Sequence, residues 1–88
     1  MPVQAYVLFK VTSGTEREVC KKIADFDEVL LVGTVYGEYD VIAKVSVPDM
    51  QILDEFLSVK IRKVQSVLLT STMIIAREYK GKNQRTGK

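Results

Sequence analysis

Apolar residues in this chain recur at two spacings, and the order in which those spacings alternate leaves few folds open. Residues 5–11, AYVLFKV, are rich in β-branched and aromatic side chains and read as a strand. Ser13-Gly14 breaks it. Thr15 with Glu18 three residues on has the form of a capping box, and Val19, Ile23 and Phe26 then follow at helical spacing. That helix is expected to end near Asp25. Residues 28–36 and 40–47 return to strand composition around Gly37-Glu38, a two-residue type II′ turn by its leading glycine. Asp49 is a good N-cap for a second helix with the stripe Met50, Leu53, Leu57 and Ile61. Residues 67–78 read as a long closing strand. The last stretch, 80–88, has no apolar residue and reads as a basic, disordered tail. The order β-α-β-β-α-β predicts an α+β, ferredoxin-like domain over residues 1–79, with a four-stranded antiparallel sheet and both helices on one face.

The turn at Gly37-Glu38 sets the hairpin register. Tyr36 is then opposite Tyr39, Val35 opposite Asp40, Gly33 opposite Ile42 and Leu31 opposite Lys44. One face carries Leu30, Val32, Thr34, Val41, Ala43 and Val45 and suits packing under the helices. The other carries Val29, Leu31, Gly33, Val35, Asp40, Ile42, Lys44 and Ser46, and it is still apolar. The closing strand repeats the theme, with Leu68, Ile74 and Ala76 on one phase and Val67, Leu69, Met73 and Ile75 on the other. A sheet covered on one side should alternate apolar with polar, and this one does not. Apolar faces of that extent mark interfaces. The tail is too polar to cover it, so a homo-oligomer is expected, a dimer at least.

Composition removes several function classes. The 88 residues make one small domain, which buries about 60–65% of its unfolded surface and gains from any further burial. The single cysteine, Cys20, excludes an internal disulfide framework, and the absence of histidine removes the commonest general base and metal ligand. No cofactor is implied. The start has no signal-peptide pattern, and no apolar run reaches the roughly 18 residues of a membrane span, so a cytoplasmic location is expected. Lys80, Lys82, Arg85 and Lys88 concentrate positive charge in the tail, leaving 9 basic against 11 acidic residues elsewhere. An acidic body argues against nucleic-acid binding.

The stretch Val32-Gly33-Thr34-Val35-Tyr36-Gly37-Glu38-Tyr39-Asp40-Val41-Ile42-Ala43-Lys44-Val45 resembles the hairpin signature of the effector-binding domain of Lrp/AsnC transcription regulators. Val67 to Ile75, with its paired threonines, is similar to that family's closing strand. The resemblance covers residues 3–79. It implies dimers joined through their sheets, rings of dimers (commonly octamers), and a small amino-acid effector held between dimers near the hairpin. Full-length members add a helix-turn-helix domain. Here the first strand begins near Met1, so the sequence looks like a stand-alone form with no direct DNA binding, acting through full-length regulators. The family often has glycine just before the closing strand, where this chain has Gln65-Ser66.

The resemblance places the effector near Gly37, Glu38, Tyr39 and Asp40, and Thr70, Ser71 and Thr72, polar residues interrupting an apolar strand, are expected to join them in the ligand site. Asp40 suits an ammonium, the glycine turn offers backbone N–H groups to a carboxylate, and the hydroxyls complete the contacts. Plainer roles stand beside these. Asp40 can brace the turn through a backbone N–H, Tyr36 and Tyr39 can be a cross-strand pair, and Gly37 can answer to backbone geometry alone. Cys20 reads as an inert buried thiol, and Lys60, Arg62 and Lys63 as a solvated helix end. A small dimeric α+β-barrel enzyme is the alternative reading; it would need a catalytic group, usually histidine or a buried acid in a cleft, and the chain has no histidine. An RNA-binding sheet would need exposed aromatics on 5–11 and 67–78, which offer only Tyr6 and Phe9. An ACT-like module would bind near Thr12-Ser13-Gly14.

Overall fold

A computed structural model describes residues 2–85. Its elements are β1 (Val3–Val11), α1 (Glu16–Ala24), β2 (Val29–Thr34), β3 (Val41–Val47), α2 (Met50–Glu55) and β4 (Val67–Ile74), with a single helical turn, α3, at Lys82–Arg85. The four strands form one sheet in the order β2-β3-β1-β4, and its pairs are antiparallel. This is the ferredoxin-like arrangement the sequence predicts. Residues 86–88 of the expected tail lie outside the described residues.

Strict alternation builds the core. Ala5, Val7, Phe9 and Val11 of β1 and Val41, Ala43, Val45 and Val47 of β3 are buried on one side of the sheet. Val19 and Ile23 of α1 and Leu53, Phe56, Ile61 and Val64 from the α2 region close over them. The intervening residues of β1 and β3 face the other, open side. Phe9 is therefore a core residue and leaves no aromatic platform for RNA.

Four local expectations need correction. Thr15 precedes α1, but its hydroxyl donates to Thr12 O at 2.6 Å and caps nothing, so no capping box forms. Beyond α2 the helix widens into a π-type turn over Phe56–Lys60 and tightens to a 3-10 turn over Ile61–Lys63. The wide turn swings Phe56 and Ile61 inward together, while Met50 stays 52% exposed. In β2 the register matches expectation from Leu31 to Thr34 but slips at Leu30, so Val29 is opposite Val45 and packs on the core. Leu30, expected inside, is exposed. In β4 a second slip between Lys10 and Val11 puts Val67 opposite Val11 and Leu69 opposite Lys10, so these two do not share a face. The strand ends at Ile74, not 78, although the Ile75 N–H still reaches Gln4 O at 2.9 Å.

Two other contacts define the edges. Asp49 caps α2, accepting from the Ile52 N–H at 2.9 Å. Ser66, just before β4, adopts φ 76°, a left-handed conformation, while its carbonyl accepts from the Thr12 N–H at 2.9 Å. The turn has a glycine-like backbone without a glycine, at some steric cost.

Lys60 is not simply a solvated cation. It pairs with Glu28 Oε2 at 2.6 Å and lies 6.0 Å from the Phe26 ring. Burial pushes the Glu28 carboxyl up, but the hydrogen bond and charge of Lys60, with a backbone N–H, outweigh it and hold the group below its ordinary 4.5. A carboxyl lowered on folding stabilises the native state above the unfolded value and loses that contribution as pH falls through the folded one. Lys60→Met leaves Glu28 with burial opposed only by the backbone N–H, which removes most of what lowers it. The wild type's advantage over Lys60→Met in urea denaturation should be full at pH about 7 and shrink as pH falls below about 4. An unchanged gap over that range would remove this pair from the acid response.

Candidate functional site

The β2–β3 connection forms one end of the sheet. Its closing bond runs from the Val35 N–H to Asp40 O at 2.9 Å, so Tyr36 to Tyr39 make a four-residue loop and not the expected two-residue turn. Gly37 has φ +126°, which a side chain would strain even though nothing crowds it. Tyr36 projects fully into solvent and Tyr39 is half-buried. The aromatic pair found among the described residues is Phe26 with Phe56, not these two.

Asp40 is bound into the sheet by both its ends. Its N–H donates to Phe9 O at 2.8 Å, and its Oδ2 accepts from the Val11 N–H at 3.0 Å. Val11 lies two residues past the last β1–β3 pair, Phe9 with Val41, so on the β3 side its N–H meets the Asp40 side chain where the ladder has ended. The bracing role is therefore built, and the second carboxylate oxygen has no bond among the described residues. Lys10 adds a bond from its ammonium to Glu38 O at 3.0 Å.

Beside the loop lies a cavity of about 340 Å³ lined by Glu16, Thr34, Val35, Tyr36, Gly37 and Asp40. It brings two carboxylates and a hydroxyl together with the loop backbone. Glu16 and Thr34 escape sequence reading because α1 opens beside this loop only once the sheet has formed. Acidic groups in a helix's first turn are the one local signal, and they are common.

Thr70, Ser71 and Thr72 lie on the edge strand β4 opposite Phe9, Leu8 and Val7. Thr70 and Thr72 share the helix-facing side with Phe9 and Val7, and Ser71 faces the open side. Thr70 is exposed and the other two are half-buried, so Thr70 needs no partner on burial grounds. The three sit at the level of Val41, Ile42 and Ala43 of β3, just past Asp40, with β1 between, a separation of about 10 Å from the strand spacing. The hairpin cavity includes none of them. Thr70 instead lines a second cavity of about 380 Å³ with Leu57, Ile61, Arg62 and Leu69. One chain places the two groups side by side but does not join them.

The open face is apolar across its width. Tyr6 and Leu8 of β1, Leu31 and Val35 of β2, Ile42 of β3, and Leu69 and Met73 of β4 share it, with Leu31, Leu69 and Met73 each more than half exposed. Cys20 is half-buried beside the core, and burial, with the charge of Glu16, pushes its thiol up, away from the reactive thiolate. Among the described residues no helix is long and apolar enough to cross a membrane.

A family model described as the Lrp/AsnC ligand binding domain matches residues 4–84. The HTH-type transcriptional regulator FL11 of Pyrococcus furiosus is 30% identical over 78 residues, covering 89% of this chain and 51% of that protein. The chain thus spans about half the length of the curated relatives it matches. Those relatives are transcriptional regulators, not enzymes. The solved hypothetical protein PHS023 of Pyrococcus horikoshii superposes with a TM-score of 0.80 at 43% identity, covering 88% of this chain and 93% of that one. The transcriptional regulator NMB0573 of Neisseria meningitidis, solved as an L-Met complex, shares the fold with a TM-score of 0.80 at 20% identity, covering 90% of this chain and 53% of that one.

Proposed function

This chain belongs to the Lrp/AsnC ligand-binding-domain family, and from that premise we propose that it senses a small amino acid at a boundary between its own subunits and modulates transcription regulators through oligomerisation. The observation that carries the reading is the hairpin cavity. Its carboxylates, Asp40 and Glu16, suit an ammonium. Its hydroxyl and the backbone of a glycine loop suit a carboxylate. The methionine held by the Neisseria regulator is a ligand of that class on the same fold.

Assembly follows from the open face. Two copies closing sheet on sheet would bury its leucines and isoleucine, and a symmetric contact of this kind is the commonest route to a dimer. Contact between dimers at the sheet ends would then bring Thr70, Ser71 and Thr72 of one chain toward the Gly37–Asp40 hairpin of another. Full-length regulators with the same domain are partners of matching shape.

A thermal-shift screen against the twenty amino acids tests the reading, with light scattering on the same samples. A ligand at a hundred times its Kd adds about 2.7 kcal/mol of stability. In a domain this size that raises Tm by roughly 10 °C or more. At least one amino acid should do so and shift the oligomer distribution. A flat response to all twenty, or a 9.9 kDa monomer throughout, would sink the proposal.

A further inference from the structure

The open sheet face has one misplaced residue. Leu31, Lys44, Tyr6 and Met73 form a single row across all four strands, and the second of them is a cation in the middle of an apolar surface. Its ammonium lies 2.6 Å from Glu78 Oε2 and 5.8 Å from the centre of the Tyr6 ring. Only 17% of the Lys44 side chain remains exposed, against 42% for Glu78. Glu78 does not belong to the sheet. It lies beyond the last ladder bond, at Ile75, and the Lys44 ammonium meets it near Tyr6 of β1, the strand between β3 and β4.

We infer that Lys44 and Glu78 are a self-recognition pair, in which the segment after β4 neutralises the central cation of the open face and so lets that face close on a second copy of this chain. The inference rests on the sheet-to-sheet contact proposed above. An ammonium carried unpaired into an apolar contact loses its hydration with nothing in return. Paired with a carboxylate and lying over an aromatic ring, it is tolerated. The partner is a second copy because the neutralised face then matches itself. Two-fold apposition brings two neutral rows together. A related chain with the lysine but no acid at the Glu78 position would bring an uncompensated charge to the contact, and specificity of this kind comes from repulsion as much as attraction.

Dilution of the full chain in sedimentation experiments tests this. Glu78→Gln should weaken self-association by at least about a hundredfold. The double variant Lys44→Met with Glu78→Leu should recover it to within about tenfold, because the charge that needs a partner is gone. Leu8→Asp, on the same face but outside the pair, should give monomers whatever Glu78 does. Monomeric Leu8→Asp alongside unweakened Glu78→Gln overturns the pair and leaves the sheet contact standing. Dimeric Leu8→Asp overturns the sheet contact itself. A double variant as weak as Glu78→Gln shows that the Glu78 side chain matters for something other than neutralising Lys44, and also overturns the inference.

Discussion

Truncating Phe56 to alanine should cost about 3–5 kcal/mol. The ring is 1% exposed and meets Phe26 edge to face, with centroids 5.7 Å apart. It fills the space between the α2 region and the sheet, and the small domain has few neighbours able to collapse into the gap. A chain of 88 residues has a total stability of roughly 4–13 kcal/mol. The variant should therefore lie near its unfolding midpoint without denaturant, or lose most of its urea resistance with an unchanged slope. Met50→Ala, six residues earlier at an exposed position, should change stability by less than about 0.5 kcal/mol. Circular dichroism at fixed chain concentration measures both, since association adds to apparent stability. A loss below about 1 kcal/mol for Phe56→Ala would mean the core repacks around the wide turn.

That contrast also marks where sequence reading stops. A 3.6-residue period through the second helix selects Met50, Leu53, Leu57 and Ile61, and passes over Phe56. Within Met50–Glu55 it places Leu53 correctly and Met50 wrongly. It fails where the Ile61 N–H reaches back five residues to Phe56 O, and no glycine or proline announces that widening. The hairpin register is legible because Gly37 and the alternation of β3 agree. The slip at Leu30 is not, because a leucine pair reads equally well on either face. The two carboxylates of the hairpin cavity differ in the same way. Asp40 lies within a recognisable motif, whereas Glu16 reaches the cavity only through tertiary packing. Lys44 and Glu78 are 34 residues apart, and their contact forms only once β3, β1 and β4 lie side by side.

Asp40 is where two roles meet, and two substitutions separate them. Its Oδ2 accepts from the Val11 N–H, a part-buried bond just past the end of the β1–β3 ladder. Asp40→Ala strands that donor and should cost about 1–3 kcal/mol whatever Asp40 does for a ligand. Loss of binding in that variant would therefore prove little. Asp40→Asn keeps a carbonyl oxygen for the Val11 N–H and removes only the charge. Its urea midpoint should stay close to the wild type's, and the dimer should persist. Its affinity for whichever amino acid the thermal-shift screen identifies should fall by about thirtyfold or more, because a buried ammonium would then face a neutral amide. Calorimetry on the two variants reads this directly. Wild-type affinity in Asp40→Asn would confine Asp40 to bracing the sheet and leave Glu16 as the carboxylate of the cavity. Weakened binding with unchanged stability would place the ammonium at Asp40, on the carboxylate oxygen that the Val11 N–H does not use.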